Sequence, residues 1–158
     1  MNIFVLDNDP VVAAKYNADS HAVKISLEMT QMLSTAMHLT GGVGPYKIAH
    51  KNHPCTIWVR ETRSNFLWAC KHLEALLNEY TDRYGKIHAC ARFLNLFYNY
   101  AANIPDGPLT EHPKCMPDHC KTDDVVQSYR NYYIKEKSYF AKWRTGNVPY
   151  WYHVEAVK

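Results

Sequence analysis

Apolar residues recur along the chain at the three- and four-residue intervals of a helix face, with no βαβ alternation, internal repeat or low-complexity segment. That spacing predicts an all-α protein. At 158 residues the chain fits a single domain over residues 1–158, long enough to bury roughly two thirds of its unfolded surface. The start, "NIFVLDNDP", reads as a short extended piece, after which Asp9 caps a helix and Pro10 takes its first position. Helix is predicted from Pro10 to Leu39, with a break near Asn17 to Asp19, and the glycines and proline of "TGGVGPYK" end it. A second apolar pattern runs from a Thr56 cap to Tyr84, where Gly85 supplies the stop, and a third from Ile87 to Tyr100. The proline-rich "NIPDGPLTEHPKCMPDHCK" reads as a loop, and Asp123 to Lys142 as a last helix with acidic residues at its start and lysines towards its end.

One helix carries an unusual polar file. On "NADSHAVKISLEMTQMLS", His21, Lys24, Glu28 and Gln31 fall at spacings of 3, 4 and 3, opposite an apolar stripe of Ile25, Met29, Met32, Ala36 and Met37. Any solvated helix face looks like this. The same residues also permit chemistry, because a carboxylate near an imidazole and an ammonium can act as acid, base or partner of a developing cation.

Composition changes the picture in three ways. No stretch approaches the ~20 apolar residues of a membrane span, and the N-terminus lacks the pattern of a signal peptide; the expectation is a cytoplasmic protein with no membrane partner, placed in the host cytoplasm if phage-encoded. Five cysteines form no regular framework, which fits free thiols. Net charge is +3, and all the excess lies in residues 121 to 158, which hold seven basic residues (among them Arg144 and Lys158) against four acidic ones. A basic, aromatic segment is the footprint that phosphates and bases favour.

Three further groups offer candidate chemistry. "HKNHPCTIWVRETRSNF" gathers His50, Lys51, Asn52 and His53 ahead of a helix start, with Arg60 and Arg63 on its opening turns. Such donors suit an anion or phosphate site; the two histidines lack a clear third ligand for a metal. "EHPKCMPDHC" brings His112, Cys115, His119 and Cys120, the right atoms for zinc without the CxxC spacing of common structural sites. No metal site and no cofactor is therefore expected. The tail "WRTGNVPYWYHVEAVK" crowds Trp143, Tyr150, Trp151 and Tyr152 around Arg144. It reads either as a terminus docked on the body or as a platform on which bases stack.

With these stretches in view, the chain resembles the small all-α phage pyrimidine-dimer DNA glycosylases of the endonuclease V type. "ADSH" at 18–21, followed seven residues later by Glu28, is similar to that family's Ala-Asp-x-His and its catalytic glutamate. His53, Thr56 and Trp58 are similar to its central segment, and "PYWYH" to its Pro-x-Trp-Tyr-basic ending. The chain also resembles uncharacterised small phage proteins that begin "MNIF-x-LD". The first resemblance implies that an N-terminal α-amine, here that of Met1, attacks C1′ of the damaged nucleotide, that Glu28 assists, and that His21 belongs with them. It implies double-stranded DNA with a flipped base as partner, faced by the tail with Trp151 and Tyr152 and by His53, with no obligate protein partner; the helix file, the donor-rich loop and the basic tail add Lys24, Gln31, His50, Lys51, Asn52, Arg60, Arg63 and Arg144 as the residues that would hold it. Departures are Ile3 in place of a basic residue, and Leu27 and Gln31 in place of arginines flanking the glutamate. The expected activity is that of a glycosylase with abasic-site lyase activity on a damaged or modified pyrimidine; the alternatives are a base-modifying transferase on the same scaffold and a non-catalytic nucleic-acid-binding protein.

Overall fold

The structure is a computed structural model that describes residues 1–153; Lys158 lies outside the described residues. Six α-helices form, with short 3-10 turns and no strand among the described residues, so the all-α expectation holds. The helices are α1 (Pro10–Tyr16), α2 (Asp19–His38), α3 (Pro54–Glu61), α4 (Arg63–Tyr84), α5 (Leu94–Tyr100) and α6 (Val125–Glu136). No described helix is long and apolar enough to cross a membrane.

The polar file on α2 does not face solvent as a whole. Thirteen of the twenty residues of α2 are buried, because α3 and α4 pack along it and the N-terminal segment brings further side chains to it. Met29, Met32, Leu33 and Ala36 meet the core, while His21 and Glu28 are enclosed as well. Ile3, Phe4, Val5 and Leu6 are also buried, although none belongs to a helix. Their backbone polar groups therefore need partners from outside the segment. Asn2 Oδ1 accepts from the N–H groups of Ile3 and Phe4 at 2.7 and 3.1 Å. Arg130 Nε of α6 donates to the Leu6 carbonyl at 3.0 Å, Trp68 Nε1 to that of Asn8 at 3.1 Å, and His72 Nδ1 to that of Pro10 at 2.9 Å. Phe4 adopts φ +56, a conformation uncommon for a bulky residue, and is clamped there by the rings of His21 and Tyr132 at 4.3 and 5.6 Å.

The remaining boundaries have local causes. Asp9 caps α1 and Gly85 ends α4 in the left-handed region at φ +70, both as the sequence predicts. The long helix expected to begin at a Thr56 cap is instead two: His53 caps α3 and buried Thr56 lies inside it, while extended Thr62 caps α4 by accepting from Asn65 N–H. Thr62 also donates to the Pro108 carbonyl at 2.9 Å, so the break is fixed by the loop that packs on it. That proline-rich loop is ordered, with Ile104 and Met116 buried. Gly44 lies so close to α2 that a Cβ there would collide with Ser34. The last helix ends at Glu136, before the expected Lys142.

Arg83 joins α1, α2 and α4. Its guanidinium, almost wholly buried, donates to the carbonyls of Asn17 and Lys15 at 2.7 and 3.1 Å and pairs with Asp19 and Glu79 at 3.2 and 2.9 Å. Arg83→Ala strands two carbonyls and two half-covered carboxylates, at a cost of about 3 kcal/mol. A thermal melt should show Tm lower by roughly 6 °C or more; an unchanged Tm would mean that the network contributes nothing.

Candidate active site at the N-terminal amine

The segment that threads the core ends on α2. There the α-amine of Met1 lies 3.2 Å from Glu28 Oε1, with the two side chains 2% and 11% exposed. Glu28 Oε2 is buried and has no hydrogen-bond partner among the described residues. The residues next to Met1 hold the amine in place: the Asn2 turn fixes the backbone of residues 2 to 4, and Asn2 Nδ2 donates to the Cys115 carbonyl at 2.9 Å. The arrangement is a buried ion pair of ammonium and carboxylate, chemically able to serve as nucleophile and base once the amine has lost its proton.

Beside this pair sit one imidazole and two thiols. His53 Nδ1 accepts from Cys55 N–H at 3.1 Å. The His53 ring is held below its ordinary range by burial first, then by the N-terminal amine and His50, with Glu28 pulling the other way. It lies within electrostatic reach of both members of the pair. Cys55 and Cys115 approach to 3.6 Å between sulfurs, and both are free thiols. The hydrogen bond from Cys55, helped by Tyr129, Lys121 and the amine, draws Cys115 down to about 7 against its burial; the same contact and burial push the Cys55 thiol far up.

The structure thus brings Met1, Glu28 and His53 together, with His50, Lys51 and Asn52 exposed in the turn just ahead of α3 and His50 at φ +47. Lys24 is exposed and Gln31 half-buried on α2. The other expected members lie elsewhere. His21 is a core residue: its Nδ1 is 2.6 Å from the Tyr133 hydroxyl, and its ring sits between Phe4 and Phe140 at 4.3 and 5.0 Å. Seven residues of helix separate it from Glu28, about 10 Å along the axis. Arg63 is occupied, donating to the Ala101 and Ala102 carbonyls at 3.2 and 3.1 Å. Arg60 is half-buried, with Nη1 enclosed and without a partner among the described residues.

The tail docks on the body at the N-terminal end of α2. Asp19 accepts from Arg144 N–H at 2.9 Å, the Arg144 guanidinium lies 4.5 Å over Tyr84, Trp151 packs against Tyr16 and Tyr133, and Tyr152 packs against Trp143. These contacts describe a pinned terminus. The candidate zinc quartet divides: His112 stacks on Trp58 at 3.9 Å, Cys115 joins Cys55 and His53, and His119 and Cys120 join Glu136. Sequence reasoning misses Asn2 and Cys55. No spacing signal pairs Cys55 with a thiol 60 residues away.

No protein-family model, curated protein or solved structure matches the chain.

Three histidines outside the site are neutral. Burial holds His21 and His112 at about 3 and His72 at about 4, whereas an unfolded chain protonates its histidines near 6.5. Below pH ~6.5 the unfolded state therefore binds more protons, and stability falls as pH drops towards 4. Each ring contributes up to about 1.4 kcal/mol per pH unit. Tm should be flat from pH 8 to 7, decline below pH 6.5, and decline less in His72→Gln. A wild-type Tm that is constant from pH 7 to 5 would contradict neutral burial.

Proposed function

We propose that the protein is a DNA-acting enzyme, a glycosylase with abasic-site lyase activity on a damaged or modified pyrimidine. The observation that carries this reading is the α-amine of Met1 at 3.2 Å from Glu28 in a nearly closed environment. In the proposed reaction Glu28 takes a proton from the amine, the N–C1′ bond forms, and the glycosidic bond breaks with its electrons leaving on the base. The sugar ring then opens, its oxygen accepting a proton, and the nitrogen retains C1′ as an iminium beside the Glu28 carboxylate. Loss of a C2′ proton expels the 3′ phosphate. The exposed turn at His50, Lys51 and Asn52, with Lys24, supplies donors for the DNA backbone next to the pair.

Both reacting groups are enclosed, so the target nucleotide must leave the stack and enter, at a cost of a few kcal/mol of unstacking. The same enclosure favours a second reading, a nucleic-acid-binding protein in which the amine and Glu28 are a structural ion pair. Borohydride trapping on abasic duplex DNA separates the two. With the native chain, whose N-terminus is verified by intact mass, a covalent adduct is expected that maps to the α-amine of Met1. Glu28→Gln leaves the buried amine without its counter-charge, so it should lower Tm while keeping the helical circular-dichroism spectrum, and lose on the order of a hundredfold or more in turnover below that Tm. Absence of an adduct, or equal rates in the two proteins, overturns the enzyme reading.

A further inference from the structure

We infer that His53, Cys55 and Cys115 form a binding site for a zinc-class divalent ion. It stands independently of the glycosylase reading, because it needs neither the amine nor Glu28 to react. One ligand atom from each of the three residues lies within 4.8 Å of the other two. The Cys55 and Cys115 sulfurs are 3.6 Å apart without a bond between them. Two thiolates on one tetrahedral zinc, each at about 2.3 Å, stand about 3.8 Å apart, so closure on an ion requires almost no movement. The donor set also selects the ion: two soft sulfurs and an imidazole suit zinc and disfavour magnesium or calcium.

The three ligands come from independently anchored backbone. His53 and Cys55 sit at the start of α3, and Cys115 is held by Asn2 through its carbonyl and by the Tyr129 hydroxyl through its N–H at 3.3 Å. His53 Nδ1 accepts the Cys55 N–H and fixes the ring at the start of α3. Three protein ligands leave one tetrahedral position open, the pattern of zinc sites that hold water or substrate. Nearby, Glu28 Oε2 is buried without a partner among the described residues. The second cluster, His119, Cys120 and Glu136, has two exposed members that are already hydrogen-bonded to each other, and serves as a control.

The test uses the full chain after chelation and reduction. Titration with cobalt should give one equivalent bound, with a sulfur-to-cobalt charge-transfer band and the intense visible bands of tetrahedral coordination. Zinc should displace the cobalt. Cys55→Ser and Cys115→Ser should each lose the charge-transfer band, whereas Cys120→Ser keeps it. Should the serine variants misfold, differential alkylation of the wild-type chain gives the same information: zinc should protect Cys55 and Cys115 together. No band, a band lost only in Cys120→Ser, or no zinc protection of the two thiols in the reduced chain would overturn the site.

Discussion

Burying a non-helical N-terminus is the constraint on which the rest of the molecule depends. Helices pair their own backbone groups; the stretch from Ile3 to Leu6 pairs none of its own apart from a tight Leu6 to Phe4 bond at 2.9 Å. Other parts of the chain must present donors and acceptors to it inside an apolar core, where an unpaired backbone group costs about as much as a lost hydrogen bond. Asn2 and Arg130 do this for Ile3, Phe4 and Leu6, and Trp68 and His72 continue it at the Asn8 and Pro10 carbonyls just beyond. The cluster of Tyr129, Tyr132 and Tyr133 around Phe4 then closes the space left over.

The same threading explains why the candidate site lies where it does. A chain end normally keeps its charge in water. Here the segment delivers the amine to the middle of α2, and Glu28 is the group that makes that burial tolerable, since a buried ion needs a partner. His53 and the two thiols gather at this point because Asn2 fastens residues 1 to 4 to the Cys115 loop. The site is thus a by-product of satisfying backbone groups as much as a set of reactive side chains.

Helical periodicity makes the class of the fold legible, along with the start of α1, the stop at Gly85 and the interruption at Asn17 to Asp19. The interruption at Thr62 is not legible, because "RETRS" carries neither glycine nor proline and its cause is the distant Pro108 carbonyl. Glu28 and Met1 enter as a pair only through a family resemblance; spacing alone places Glu28 beside His21 and Lys24. His21 is misplaced by its spacing because a polar residue on a helix face looks solvated until its cover is known, and that cover comes from Phe4, Tyr133 and Phe140. The partners of Arg63 are hidden for a similar reason, being carbonyls some 38 residues later. The pairing of Cys55 with Cys115 depends wholly on how the proline-rich loop folds back.

The buried N-terminal strip also sets an order of events. Residues 1 to 6 are synthesised well before α6: the Arg130 side chain that covers the Leu6 carbonyl follows 124 residues later, and Tyr133, which packs on Phe4, comes later still. Until α6 is made, "IFVL" has no complete shelter. Contacts of such high sequence separation must close last and slowly, and exposed apolar backbone is what chaperones capture in the interval. The helices can assemble early, but the cover of residues 3 to 6 is complete only once α6 is made, so a chain stalled before residue 130 lacks the partner of the Leu6 carbonyl.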